Sequence, residues 1–185
     1  IVIVQIPTSS VTSIVSKAVA VVMLRSSEVW FAFFSKASLA ILPHLFWRPD
    51  VMWCNDWQSV LVPAFYKQQY MDNEFYADMK SVLVVHNYEK EYLAIARKTF
   101  KNTGLEEPAS MKKGVVNAYE AAAEYVDLMI AIDSPNNQVS KKLLELPAIK
   151  KKKSKLLTIK TSGEDSPDYD KVAARIDSGL QKLFS

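Results

Sequence analysis

Glycine is scarce in this chain: four occur in 185 residues, at positions 104, 114, 163 and 179, against roughly 7% in average proteins. Standing singly, they form neither a GxGxxG nor a GxxxxGK loop. Any handling of phosphates here therefore does not use a glycine cradle encoded in this sequence. A single cysteine, Cys54, excludes an internal disulfide and a CxxC zinc site and is simplest to reconcile with a reducing compartment. As a residue type it reads as a small buried apolar group. The two histidines, His44 and His86, lie far apart, so neither metal nor another cofactor is expected. Long apolar runs are missing too. The most apolar N-terminal piece, AVAVVML at Ala18–Leu24, is flanked by Lys17 and Arg25. It falls well short of the ~18–20 residues that cross a bilayer, and no membrane partner is expected. The start, IVIVQIPTSS, has no Met and no basic region. It reads as a chain that begins partway through a domain rather than as a signal peptide.

What is present is globular in kind: 49% apolar and 23% charged residues, with a net charge of +3. The excess charge is mild and local, so nucleic acid is not an expected partner. Five lysines fall within Lys150–Lys155, without interleaved aromatics. That run reads as a solvated loop before an edge strand, with an anionic partner as the functional alternative.

Short apolar runs bounded by turn residues alternate with helical patterns. IVIVQI reads as a strand ending at Pro7, and residues 8–25 are ambiguous. Apolar Phe31, Phe34, Ala37, Ile41, Leu42 and Leu45 recur at three- and four-residue steps, predicting a helix over 27–47 that Pro43 shortens. VMWC (51–54) reads as a strand with Trp53 in the core, followed by an apolar helix from Trp57 with Pro63 as a kink. Ser81–Val85 is a second strand. KKGVVNAYEAAAEY reads as a helix, 126–134 as a third strand, and SPNNQVSKKLLEL as a helix with Ser134 as cap and Pro135 in its first turn. SKLLTIK is a fourth strand, and an amphipathic helix closes the chain. The fold class is α/β, a Rossmann-like parallel sheet with helices on both faces.

Polar residues gather directly after strands: Asn55-Asp56, His86-Asn87 and Asp133-Ser134. In open α/β sheets the carboxyl ends of strands line the ligand crevice. Asp56 or Asn55 is equally well placed as a helix N-cap. Trp57 offers an indole face either to a ligand or to the sheet edge. His86 is either a structural histidine or a hydrogen-bonding group toward a ligand. His44 reads as structural.

Three segments carry a family resemblance: FFSKASLAIL…FWRPDVMWCNDWQSVLVPAFYK, MKSVLVVHNYEKEY and VVNAYEAAAEYVDLMIAIDSPNNQVSKKLL. Their order and spacing over residues 30–146 resemble the N-terminal, acceptor-side catalytic domain of bacterial glycogen synthases and plant starch synthases. The resemblance implies one half of a GT-B glycosyltransferase, with 1–185 as a single partial domain. It implies transfer of glucose, with retention and without a metal, from ADP-glucose or UDP-glucose to the non-reducing end of an α-1,4-glucan. His86 and Asp56 would be the catalytic pair, and Trp57, Asn55, Asn87 and Gln58 the substrate-binding residues. A second GT-B domain or a partner chain would be required for activity. The location would be cytoplasmic, or plastidic in a plant.

Departures from the family pattern accompany the match. The family's K-T-G-G-L loop is not found, Tyr88-Glu89-Lys90-Glu91-Tyr92 replaces its L-A-Y-Q-G, and TSGEDSPDYD stands where N-G-I-D is expected. The alternative is a non-catalytic glucan-binding or interaction module built on the same scaffold.

Overall fold

The computed structural model describes residues 27–90, 93–162 and 168–185. The expected strand over 1–6, the ambiguous stretch 8–25, Glu91 and the glycine at 163 lie outside the described residues.

Four strands form one parallel sheet in the order β1 (Val51–Asn55), β2 (Lys80–Val85), β5 (Leu128–Asp133) and β6 (Leu156–Lys160). Each matches an apolar run expected to be a strand. The inner strand β2 has Ser81 through Val85 all buried, as its unbroken apolar run requires. A separate antiparallel pair joins β3 (Ala94–Ala96) to β4 (Val115–Asn117).

Helices cover both faces, as expected. On one face lie α1 (Ser27–Ala40), α2 (Val62–Phe65), α4 (Ala118–Ala123), α5 (Val139–Leu144) and α6 (Pro147–Lys151), which supply the larger core with Leu83, Val85, Met129 and Ala131. α3 (Arg97–Thr103) adds Phe100 to it. On the other face the amphipathic α7 (Tyr169–Gln181) sets Val172, Ile176 and Leu180 over Val82, Val84, Ile130 and Ile159. Gly179 permits that approach, since a Cβ there would stand 2.7 Å from Leu157 Cδ2.

Several local expectations are corrected. The buried stripe of α1 is Ala32, Ser35 and Leu39, while Phe34 points outward at 50% exposure. The small residues win the inward face because they let the helix sit close to the core, and the Ser35 hydroxyl is satisfied by donating to the Phe31 carbonyl at 2.6 Å. The helix expected from Trp57 is segmented into a 3₁₀ turn (Trp57–Ser59), α2 and a π turn (Tyr66–Tyr70). Pro63 opens α2 rather than kinking it, consistent with its missing N–H being harmless at a helix start. In VVNAYEAAAEY only Ala118–Ala123 is helical, because Val115–Asn117 pairs with β3 and the Asn117 side chain accepts the Tyr119 and Glu120 N–H groups as the cap. Ser134 is no cap either: it closes a bridge with Asn137, and α5 starts only at Val139.

The lysine run is not a free loop. Lys150 and Lys151 end α6, and Lys152 Nζ donates to the carbonyls of Ala123 (3.2 Å) and Glu124 (3.4 Å). Lys155 Nζ donates to that of Val126 at 3.0 Å. These cations meet the unpaired carbonyls at and beyond the end of α4, where both hydrogen bonding and the helix dipole favour them. No helix among the described residues is long and apolar enough to cross a membrane.

Candidate active site at the carboxyl edge of the sheet

Strands β1 and β2 are in register, Asn55 beside Val84, so their following residues emerge side by side. The ladder runs one step further, with the Asp56 N–H donating to the Val84 carbonyl at 2.8 Å. At that point the chain turns sharply: Asp56 has φ 51° and ψ −168°. This region is ordinarily reserved for glycine and costs on the order of 1–3 kcal/mol for another residue.

The strain is held by the Asp56 side chain. It makes no cap hydrogen bond to the turn that follows, contrary to the N-cap expectation. It reaches instead across to the end of β2. Oδ1 accepts the main-chain N–H groups of His86 at 2.8 Å and Asn87 at 3.3 Å, and Oδ2 lies 3.1 Å from His86 Nδ1. Partial burial pushes the Asp56 carboxyl up. The His86 side-chain and backbone hydrogen bonds, the imidazole charge and the Asn87 N–H outweigh it and hold the group below its ordinary value. A carboxylate only accepts, so Nδ1 carries the proton and Nε2 is the ring atom left to meet a ligand. The side chains of His86 and Asp56 are 51% and 25% exposed, so the imidazole faces solvent while the carboxylate supports it from beneath.

Asn87 is tied on three sides. Its Nδ2 donates to Glu89 Oε1 at 3.0 Å, its Oδ1 accepts from Asn137 Nδ2 at 3.3 Å, and its carbonyl accepts the Tyr119 hydroxyl at 2.9 Å. Asn137 Nδ2 also donates to the His86 carbonyl at 3.2 Å, and Lys142 Nζ donates to Asn137 Oδ1 at 3.2 Å. Tyr119 is fully buried on α4. Burial, with the charges of Asp56, Tyr88 and Glu89, pushes its phenol far above the ordinary range, so it is a permanent donor.

The expected residues thus gather on one edge with unequal roles. Asp56, His86 and Asn87 form one hydrogen-bonded unit. Trp57 is half-buried and packs edge-on against Phe31, with ring centroids 4.6 Å apart and an interplanar angle of 73°. This packing is against helix α1 rather than against the sheet edge that was expected, and the side chain stays partly exposed. Asn55 and Gln58 are exposed beside them. His44 is exposed in a 3₁₀ turn away from this group of bonds. Among the described residues no cluster of His, Cys, Asp and Glu is arranged to hold a metal. Cys54 is buried, and burial pushes its thiol up to about 12, as expected of an inert core residue.

Tyr119, Asn137 and Lys142 were not foreseen. Tyr119 lay inside an apparently regular helix. The strand-end signal pointed to Asp133-Ser134, whereas the working residue comes three positions later, on a turn.

A family model described as "Starch synthase catalytic domain" matches residues 25–137. A glycogen synthase of Desulforudis audaxviator is 34% identical over 111 residues, covering 55% of this chain and 21% of that protein. One from Lachnospira eligens is 44% identical over 75 residues, covering 40% and 16% respectively. The fold is shared with the catalytic domain of starch synthase IV from Arabidopsis thaliana bound to ADP and acarbose. That match has TM-score 0.59 and 20% identity, and covers 73% of this chain and 30% of the other. The chain matches only 21% and 16% of the length of these two curated relatives. The shared segment runs through β1, Asp56-Trp57, β2, His86-Asn87 and Asn137, and on that footing the chain belongs to the starch synthase catalytic domain family.

Proposed function

We propose that this chain is the acceptor-side half of a glucosyltransferase that extends an α-1,4-glucan from ADP-glucose or UDP-glucose. In the reaction the bond from glucose C1 to the diphosphate breaks, a bond to the acceptor 4-oxygen forms, and that hydroxyl loses its proton. His86 stands beside the transferred sugar, its ring fixed by Asp56 through Nδ1 and its Nε2 lone pair free to accept from a sugar hydroxyl. Asp56 orients His86 and shapes the turn that brings Trp57 to the acceptor. Trp57 offers the uncovered part of its indole to a glucose ring. Asn55, Gln58 and Asn87 supply hydrogen bonds to sugar hydroxyls. The donor nucleotide is held by a second GT-B domain or partner chain, and 1–185 is a single partial domain that does not turn over alone.

The observation that carries this reading is the Asp56 carboxylate gripping both the backbone and the ring of His86. The test is transfer of radiolabelled glucose from ADP-glucose, and separately UDP-glucose, to glycogen by the full polypeptide, meaning this chain together with the second GT-B domain. His86→Ala is expected to abolish transfer while glycogen binding persists. Undiminished transfer by that variant overturns the assignment.

One observation favours the second reading, a glucan-binding module without catalysis. Glu89, in the segment that departs from the family pattern, engages the Asn87 amide. Glucan binding that Trp57→Phe weakens, with no transfer from either donor by the full polypeptide, would establish that reading instead.

A further inference from the structure

Along the outer edge of β6, mostly beyond the family-matched residues, two cavities adjoin. One, of about 380 Å³, lies at the carboxyl ends of β5 and β6 and is lined by Asp133, Ser134, Gln138, Ser140, Lys160 and Thr161 among others. The other, of about 480 Å³, is lined by Thr158, Lys160, Lys171 and Arg175. Lys160 lines both, so the two form one trough with a cation at the junction.

The chemistry differs along the trough. In the second cavity the ionisable lining groups among the described residues are all cations. Lys171 is paired with Asp168, and Arg175 donates to the Thr158 carbonyl at 3.3 Å. The Lys160 ammonium has no hydrogen-bond or ion-pair partner among the described residues. Both lysines and Arg175 therefore have donors to spare, and Arg175 has a fork suited to a tetrahedral oxyanion. In the first cavity the one carboxylate is already engaged: Asp133 accepts the Ser140 N–H at 2.8 Å and its hydroxyl at 2.5 Å. The Thr161 hydroxyl donates to the Asp133 carbonyl at 3.1 Å. The main-chain groups of Ser134 bond Asn137 and the Gln138 carbonyl accepts from the Lys142 N–H, and the side chains of Ser134 and Gln138 have no hydrogen-bond partner among the described residues.

We infer that this trough binds a phosphate monoester of a sugar, with the phosphoryl group among Lys160, Lys171 and Arg175 and the sugar against Ser134, Gln138 and Thr161. The first cavity lies on the same carboxyl edge as Asp56 and His86, linked to them through the Ser134–Asn137 bridge, and its occupancy is read without transfer activity. The phosphate comes either from a free sugar phosphate or from a phosphorylated glucan.

Isothermal titration calorimetry of the full chain with glucose 6-phosphate, inorganic phosphate, glucose and a phosphorylated malto-oligosaccharide tests this. Glucose 6-phosphate is expected to bind about tenfold tighter than inorganic phosphate, with no heat from glucose. Lys160→Ala is expected to weaken it roughly tenfold or more, the scale of a lost charge-assisted hydrogen bond, with an unchanged melting temperature. Tighter binding of the phosphorylated oligosaccharide identifies a glucan as the source, and weaker binding a free sugar phosphate. Equal affinity for inorganic phosphate and glucose 6-phosphate, or affinity that survives both Lys160→Ala and Arg175→Ala, overturns the proposal.

Discussion

Asp56 and His86 are joined twice, 30 residues apart in sequence, through a main-chain N–H at 2.8 Å and a ring nitrogen at 3.1 Å. One side chain thereby fixes both the position and the tautomer of the other. Asp56→Asn tests this link. Its amide oxygen still serves the main-chain N–H, but the NH₂ group then faces Nδ1 and requires an acceptor there. The proton is expected to move to Nε2, which long-range ¹⁵N–¹H correlation of the His86 ring reads directly. A ring that keeps Nδ1–H in this variant would show that the carboxylate does not set the tautomer.

The backbone at Asp56 carries a second test. Its φ of 51° is one that glycine adopts without penalty. Asp56→Ala loses the carboxylate and keeps the strain, whereas Asp56→Gly loses the carboxylate and relieves it. The glycine variant is expected to be about 1 kcal/mol the more stable by urea unfolding. An alanine variant of equal or higher stability would mean that the turn relaxes on substitution.

The lowered Asp56 pKa fixes the sign of a pH effect. A group depressed in the folded state contributes stability above its unfolded pKa, about 3.9 for Asp, and that contribution is lost as pH falls through the lower folded value. Unfolding free energy measured by denaturant at pH 6 down to pH 2.5 is expected to fall less steeply in Asp56→Asn than in the parent. Parallel curves would remove Asp56 from the acid response.

Tyr119→Phe deletes the hydroxyl that donates to the Asn87 carbonyl at 2.9 Å. The Asn87 carbonyl loses its donor where Tyr119 is fully buried. A loss of about 1–3 kcal/mol in unfolding free energy is expected, without cavity formation to confuse it. A change below about 0.5 kcal/mol, the ordinary scatter for surface sites, would show that water replaces the hydroxyl.

Trp57 separates packing from recognition. Trp57→Phe keeps an aromatic edge against Phe31, so the melting temperature is expected to fall only slightly. Affinity electrophoresis in glycogen-containing gels is expected to show several-fold weaker retardation, since a smaller ring presents less stacking area. Unchanged retardation would assign Trp57 to packing alone.

The sheet was legible because each strand is a short apolar run closed by a polar residue, a signal that survives without tertiary context. The clustering of Asp56, His86 and Asn87 followed from the rule that strand ends meet at one edge. Smaller features were not legible, for specific reasons. The side chain of Asp56 had two targets that its spacing alone could not rank, a local cap and a neighbouring strand. Val115–Asn117 looked helical because its pairing with Ala94–Ala96 is long-range. Lys152 and Lys155 looked unpartnered because nothing local identifies the carbonyls of Ala123, Glu124 and Val126 as their partners. The inward face of α1 was misjudged because the sequence shows which side chains are greasy, not which are small enough to let a helix come close.

The order β1-β2-β5-β6 has a consequence for how the molecule is completed. Every crossover between the described strands steps the chain toward the same flank, so this part of the sheet contains no reversal of direction. Parallel sheets open their ligand clefts where successive crossovers part to opposite sides. A strand laid against the outer side of β1 would create that parting right beside Asp56. The identity of β1's far neighbour therefore decides whether the imidazole looks into a crevice or out over a ridge.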